Sequence, residues 1–384
     1  MVIHQGRYGE GLKGPEGGLE HPLALGPAGK YFDVRDVVDQ ATKQKLILSI
    51  PVLSVPNGSG ISPKEWAEDP KLMVKLVSRS ISLFKPPLAL PPMDLSVVPA
   101  SYGLRRKFPD GQGQIQTYPS EFSIDAAAEM AAKLPEIDGT PLGVRLSALE
   151  MLHKKHPRQM LGDYVPGPFA LATMLAKSDD VIMNSLYSEG PDGGSLVDPL
   201  LTACADRSVD AARLMVGKGA KVIAILDPTA TQDILGPITY AKLLPFTTRL
   251  VDGIHNAGAT AVLHVCGCTK DIVESMADSG ADIISMDCRS KPTSEKVLAT
   301  PQDIRNALKV VEKAGKGVRL MTGLQTPEIE TMTVQQIKDS TKELIDIARE
   351  HPSSFIMSST CEMPETVPVG HLQQHFRMVR AARL

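Results

Sequence analysis

Apolar residues in this chain gather in short runs rich in Val, Ile and Leu, separated by longer stretches in which apolar positions return every three to four residues. The runs cover residues 46–55, 86–93, 162–170, 221–226, 260–264, 282–286, 318–321 and 354–357, which makes eight predicted strands. The stretches at 205–218, 237–256, 269–279, 301–314 and 333–351 carry the helical period. Several end on a glycine stop, at Gly219, Gly258, Gly280 and Gly315.

Strands that are apolar throughout are expected where both faces of a parallel sheet are covered. Eight of them alternating with helices predict an α/β protein of the TIM (β/α)8 barrel type. A barrel is favoured over an open doubly wound sheet because no glycine-rich dinucleotide fingerprint follows a strand. Residues 1–35 lack periodicity and are expected to form an N-terminal arm, with 36–384 as a single barrel domain. The stretch 101–156 is expected to be an insertion that caps the barrel mouth.

Composition narrows the partners. At 384 residues, 42% hydrophobic and net charge -3, the chain can bury a large core and carries no basic excess for a phosphate backbone, so nucleic acid is not expected. No apolar run approaches the roughly 20 residues of a bilayer span, and Met1–Lys30 is not shaped like a signal peptide. No membrane association and a cytoplasmic location are therefore expected. Five cysteines, an odd number unevenly spread, do not read as a disulfide framework. Cys266, Cys268 and Cys288 fall close together and suggest metal or redox chemistry, although a single free Cys is more often a small buried hydrophobe.

Barrel chemistry sits at the C-terminal ends of the strands. At those ends the sequence places Asp94, Asp227, His264 with Cys266, Asp287, Gly323 and Cys361. His264 and Cys266 are two apart, so on an extended strand both side chains point to the same side. With Cys361 returning to the same rim they offer one imidazole and two thiolates, a donor set that suits Zn²⁺. Asp287 is the candidate fourth ligand and a catalytic candidate, with Glu362 as its alternative. Asp227 reads as a catalytic or substrate-binding acceptor, as a carboxylate orienting His264, or as a cap of the following turn. Asp94 and Gly323 are further substrate-binding candidates. Cys204, Cys268 and Cys288 read as core or neighbouring residues. His371 and His375, at i, i+4 spacing, have no evident third ligand.

The segments Ile223-Ala-Ile-Leu-Asp-Pro-Thr-Ala-Thr-Gln-Asp-Ile-Leu-Gly-Pro237, Val262-Leu-His-Val-Cys-Gly-Cys-Thr-Lys-Asp-Ile272 and Met276-Ala-Asp-Ser-Gly-Ala-Asp-Ile-Ile-Ser-Met-Asp287 resemble the uroporphyrinogen decarboxylase superfamily. Within it they resemble the methylcorrinoid:coenzyme M methyltransferases, and Val165-Pro-Gly-Pro-Phe-Ala-Leu-Ala172 is similar to that branch's Gly-Pro-x-Thr-Leu-Ala segment. The resemblance spans roughly residues 36–380. It implies a TIM barrel with zinc on His264, Cys266 and Cys361, and a partner protein that carries a corrinoid (cobalamin). Methyl transfer between cobalt and a small zinc-bound substrate is implied with them, and a homodimer is compatible with it. The sequence departs from the branch at Asp287, where a Glu is usual, at Gly323-Leu324 and around Thr360-Cys361-Glu362. The substrate therefore ranges over a thiol such as coenzyme M and methylated donors such as methoxylated aromatics or methylamines. A uroporphyrinogen decarboxylase-type porphyrin enzyme is the alternative. It has no need of the His-x-Cys pair, and the Arg-rich motif that would grip propionates has no counterpart at 46–59.

Overall fold

The computed structural model describes residues 41–384 apart from 42, 51, 53–58, 111–112, 188–194, 288–298 and 327. The expected arm, Cys288 and much of the second half of the first predicted strand lie outside the described residues.

Nine strands form in chain order: β1 (Leu88–Ala89), β2 (Arg106–Lys107), β3 (Gln116–Thr117), β4 (Met160–Pro166), β5 (Val222–Leu226), β6 (Thr260–Val265), β7 (Ile283–Met286), β8 (Arg319–Leu324) and β9 (Phe355–Ser359). Seven pair in parallel in the order β1-β4-β5-β6-β7-β8-β9. Beyond β9 the chain around Ser49 adds an eighth parallel position, since Ser49 bridges Met357 and the Ile50 amide donates to the Met357 carbonyl at 2.8 Å. The two ends of this order meet in the middle, because Ile50 and Leu88 belong to one buried cluster with Tyr164, Ala224, Val262 and Met321. The sheet curls into a barrel of the α/β class, as the eight apolar runs predict.

Alternation along each strand sorts two cores. On β4, Tyr164 points into the barrel, while Leu161 and Val165 join the larger cluster between sheet and helices. Both faces are thereby apolar, which is why the strands lack a polar repeat. The helices are set by local signals. Thr300 caps helix Pro301–Ala314 in a reciprocal pair with Asp303, and Gly315 ends it at a φ of 65° that favours glycine. The kink at Gly236, with a φ of 68°, lets helix Gln232–Asn256 begin one turn before Pro237, earlier than the period alone suggests. Among the described residues no helix is long and apolar enough to cross a membrane.

Two expectations need correction. The predicted strand 162–170 stops at Pro166, because Gly167 and Pro168 open helix Pro168–Leu175. The 101–156 stretch is not one insertion. Arg106–Lys107 and Gln116–Thr117 form a small antiparallel pair, but helix Pro141–Lys155 belongs to the outer layer, packed on helices Pro70–Phe84 and Asp198–Gly217.

Candidate metal centre

Strand β6 is buried from end to end, and its inward positions include Val262 and His264. Cys266 follows two residues on, with its Sγ 3.0 Å from the His264 Nε2. Cys361 stands two residues beyond β9, its sulfur 3.8 Å from that of Cys266. Among the described residues this is the one trio of His, Cys, Asp or Glu whose ligand atoms all lie within 4.8 Å of one another. His264 is buried and the two cysteines are half-buried, so the cluster lies at the rim.

The donor types suit zinc, and so does the spacing of the two sulfurs. Two sulfurs each about 2.3 Å from a tetrahedral ion are separated by about 3.8 Å, which is the distance found between Cys266 and Cys361. The imidazole is already oriented, since β6 and β7 pair His264 with Ser285 and the Ser285 Oγ lies 3.1 Å from Nδ1. With Nδ1–H donating to Ser285, the Nε2 lone pair faces the sulfurs. The adjacent Cys266 thiol, and burial after it, push the Cys361 thiol above its usual range, while His264 opposes them. A cation among these atoms would favour the thiolates.

The carboxylates stand apart from this trio. Asp287, buried at the end of β7, is not among the side chains gathered within 4.8 Å, and neither is Glu362. Glu362 accepts the Met93 amide at 2.8 Å. Burial pushes its carboxyl up to about 8, against the pull of that amide. A buried relay supports the arrangement. Arg145 donates to Asp163 Oδ1 at 2.8 Å and to the Pro92 carbonyl at 2.9 Å, fixing the peptide whose own N–H, from Met93, holds Glu362.

The remaining predicted site residues have structural partners. The Asp227 Oδ1 accepts the Ala170 amide at 2.7 Å and so caps helix Pro168–Leu175, while the orienting contact to His264 comes from Ser285. Burial raises the Asp227 carboxyl to about 7 despite the helix amides. A Cβ at Gly167 would collide with this carboxylate, which accounts for the glycine there. Asp94 pairs with Arg106 and accepts the Ser96 amide at 2.9 Å, anchoring the small antiparallel pair. Gly323 lets β8 approach β9, since a Cβ would meet the Ser358 carbonyl. His375 is fully buried between Ser49 and Thr341, at 2.8 and 3.0 Å, rather than at a metal site.

Three contributors escaped the sequence reading: Ser285, the Asp163–Arg145 pair and Tyr164. A Ser inside Ile283-Ile284-Ser285-Met286 and an Asp inside β4 were signals, being polar residues within otherwise apolar strands. Behind the trio lies a cavity whose polar lining is His264, Ser285, Cys361, Glu362 and Tyr164 and whose other walls are almost all aliphatic.

The family model described as "Uroporphyrinogen decarboxylase (URO-D)" matches residues 56–382. The methylcobamide:CoM methyltransferase MtbA of Methanosarcina mazei is 30% identical over 203 residues, 47% of this chain and 58% of that protein. MtbA of Methanosarcina acetivorans is 28% identical over 247 residues, 63% of each chain. The matches thus span less than two thirds of the length of these relatives. A uroporphyrinogen decarboxylase of Nostoc punctiforme is 30% identical over 132 residues, 32% of this chain and 35% of that one. A solved methyltransferase structure from Methanosarcina mazei superposes with a TM-score of 0.71 at 22% identity, covering 91% of this chain and 99% of that one, and shows the same fold. The chain belongs to the uroporphyrinogen decarboxylase family.

Proposed function

We propose that this member of the family is a zinc-dependent methyltransferase that moves a methyl group between a corrinoid on a partner protein and a small substrate held at the barrel mouth. The observation that carries this reading is the convergence of His264, Cys266 and Cys361 from β6 and β9. The MtbA relatives, named as methylcobamide:CoM methyltransferases, support the same chemistry. We assign the work to residues 36–384 as one domain, with 1–35 as an arm, acting in a reducing compartment such as the cytoplasm.

His264, Cys266 and Cys361 would hold Zn²⁺, with Asp287 the proposed occupant of the fourth position at rest. Zinc bound there lowers the pKa of a thiol substrate, or withdraws electrons from a methylated oxygen or sulfur, so that its methyl is exchanged more readily. The chain's own residues prepare this. With Nδ1–H donating to Ser285, the imidazole would keep the Nε2 lone pair for the metal. The aliphatic walls behind His264 exclude water and strengthen each polar interaction at the rim. Asp227 holds the neighbouring helix, and Asp94 the small antiparallel pair, so that the mouth keeps its shape. The decarboxylase alternative leaves the three-ligand cluster without a use.

Metal analysis combined with a mixing assay tests the proposal. About one equivalent of zinc per chain and loss of methylcobalamin absorbance on adding a thiol are the expected results. A metal-free protein with full activity on a porphyrinogen would overturn them.

A further inference from the structure

Below the trio the barrel interior contains a polar group that the metal chemistry leaves over. Tyr164 lies on β4 two residues before Pro166, which is level with His264 through Leu226. The side chain is 4% exposed, lines the same cavity as His264, Cys361 and Glu362, and its hydroxyl has no hydrogen-bond partner among the described residues. A buried tyrosine hydroxyl normally finds one. The other polar groups of the cavity are engaged: Ser285 with His264, Cys361 with Cys266, Glu362 with the Met93 amide. The ring is steadied by Arg145, whose guanidinium carbon is 5.9 Å from its centroid, and its register partner is the small Ala224.

We propose that this interior holds the body of the substrate and that the Tyr164 hydroxyl hydrogen-bonds its far end, selecting a small uncharged thiol or methyl thioether that ends in a hydroxyl or similar neutral group. The assignment rests on the methyl-transfer reading, from which it takes the orientation. The methyl to be exchanged must face the open rim, so the rest of the molecule extends inward, into the cavity that Tyr164 lines. Among the described residues lining the cavity none is cationic. A sulfonate or carboxylate tail would lose its water against Leu90, Val262 and Met321, with the Glu362 carboxyl nearby. A neutral hydroxyl needs one hydrogen bond, and Tyr164 supplies it.

Three probes that differ only in the tail test this: 2-(methylthio)ethanol, 2-(methylthio)ethanesulfonate and 2-(methylthio)ethylamine. Their affinities for the zinc-loaded full chain are measured by ligand-observed NMR without any corrinoid. The alcohol is expected to bind about tenfold more tightly than either charged probe, and Tyr164→Phe to weaken it by about tenfold while leaving ethyl methyl sulfide unchanged. Preference for either charged probe, binding by none of them, or equal losses for alcohol and sulfide in Tyr164→Phe would each overturn the assignment. The comparison of tails needs no variant, so it stands even if the substitution unfolds the chain. Methyl exchange is followed separately through methylcobalamin absorbance. Selective binding without exchange by any probe counts against the methyl-transfer reading and leaves the neutral pocket intact.

Discussion

Two buried histidines lie on opposite sides of the same sheet, and their surroundings give them opposite fates. His264 sits inside the barrel at the C-terminal end of β6, with Ser285 on one nitrogen and two sulfurs facing the other. His375 sits outside it on helix Val369–Ala381, with Ser49 on one nitrogen and Thr341 on the other. Both are polar residues in apolar surroundings, and both touch a serine. At His264 one nitrogen is directed at two half-buried cysteine sulfurs. At His375 both nitrogens are spent on hydroxyls that join the start of the described chain to its last two helices. A buried imidazole is therefore a candidate ligand only where one of its nitrogens is left to face other donors.

The largest effect expected from breaking this contrast is at the rim. Cys266→Ala or Cys361→Ala should lower zinc affinity and methyl exchange by at least about a hundredfold while the circular dichroism melt stays close to that of the parent. Zinc content and exchange rate check this, and either variant keeping full metal and full activity removes that residue from the ligand set. At the other histidine the expectation reverses. His375→Ala should cost about 2–4 kcal/mol of stability, from the cavity and two orphaned hydroxyls, with zinc binding retained. Denaturant titration beside metal analysis reads both halves.

Ser285→Ala sharpens the comparison, because it removes the orienting partner and leaves the ligands in place. Zinc affinity measured by chelator competition should fall about 10- to 100-fold, and an unchanged affinity would mean that the β6–β7 register alone orients the imidazole.

The smallest effect is in pH. Burial lowers the His375 pKa to about 3, below its ordinary 6.5. Between those values the unfolded chain binds the proton and the folded chain does not. The contribution of this group to stability is thus complete above pH 6.5 and is lost as pH falls toward 3. From pH 6.5 to 5 the loss should be about 2 kcal/mol. His375→Gln should flatten that slope in melts taken across the range, and an unchanged slope would assign the acid sensitivity elsewhere.

Much of this was legible in the chain. The eight apolar runs and their glycine stops carried the barrel, because a parallel sheet covered on both faces leaves its strands nothing polar to display. The spacing of His264 and Cys266 carried the first half of the trio, since period two is a local property. Cys361 became part of it only through strand order, and the family resemblance supplied what distance along the sequence hid. The roles of Asp94, Asp227 and Gly323 were harder to read, because a strand-end residue looks the same whether it meets substrate, a helix amide or a neighbouring backbone. Asp227 caps a helix that starts 59 residues earlier, at Pro168 (227 − 168). Ser285 and Tyr164 were missed for a related reason, as their importance depends on inter-strand register and on which hydroxyl lacks a partner.

The Asp163–Arg145 pair has a bearing on how this scaffold can be altered. Arg145 belongs to a helix in the outer layer, yet its guanidinium holds the Pro92 carbonyl, and the N–H of that same peptide, from Met93, holds Glu362, the residue after Cys361. A designer who recast that helix for a new surface would also be retuning the mouth. Grafts there should keep the guanidinium and its carboxylate as a unit, whereas the exposed side of the same helix is free to change.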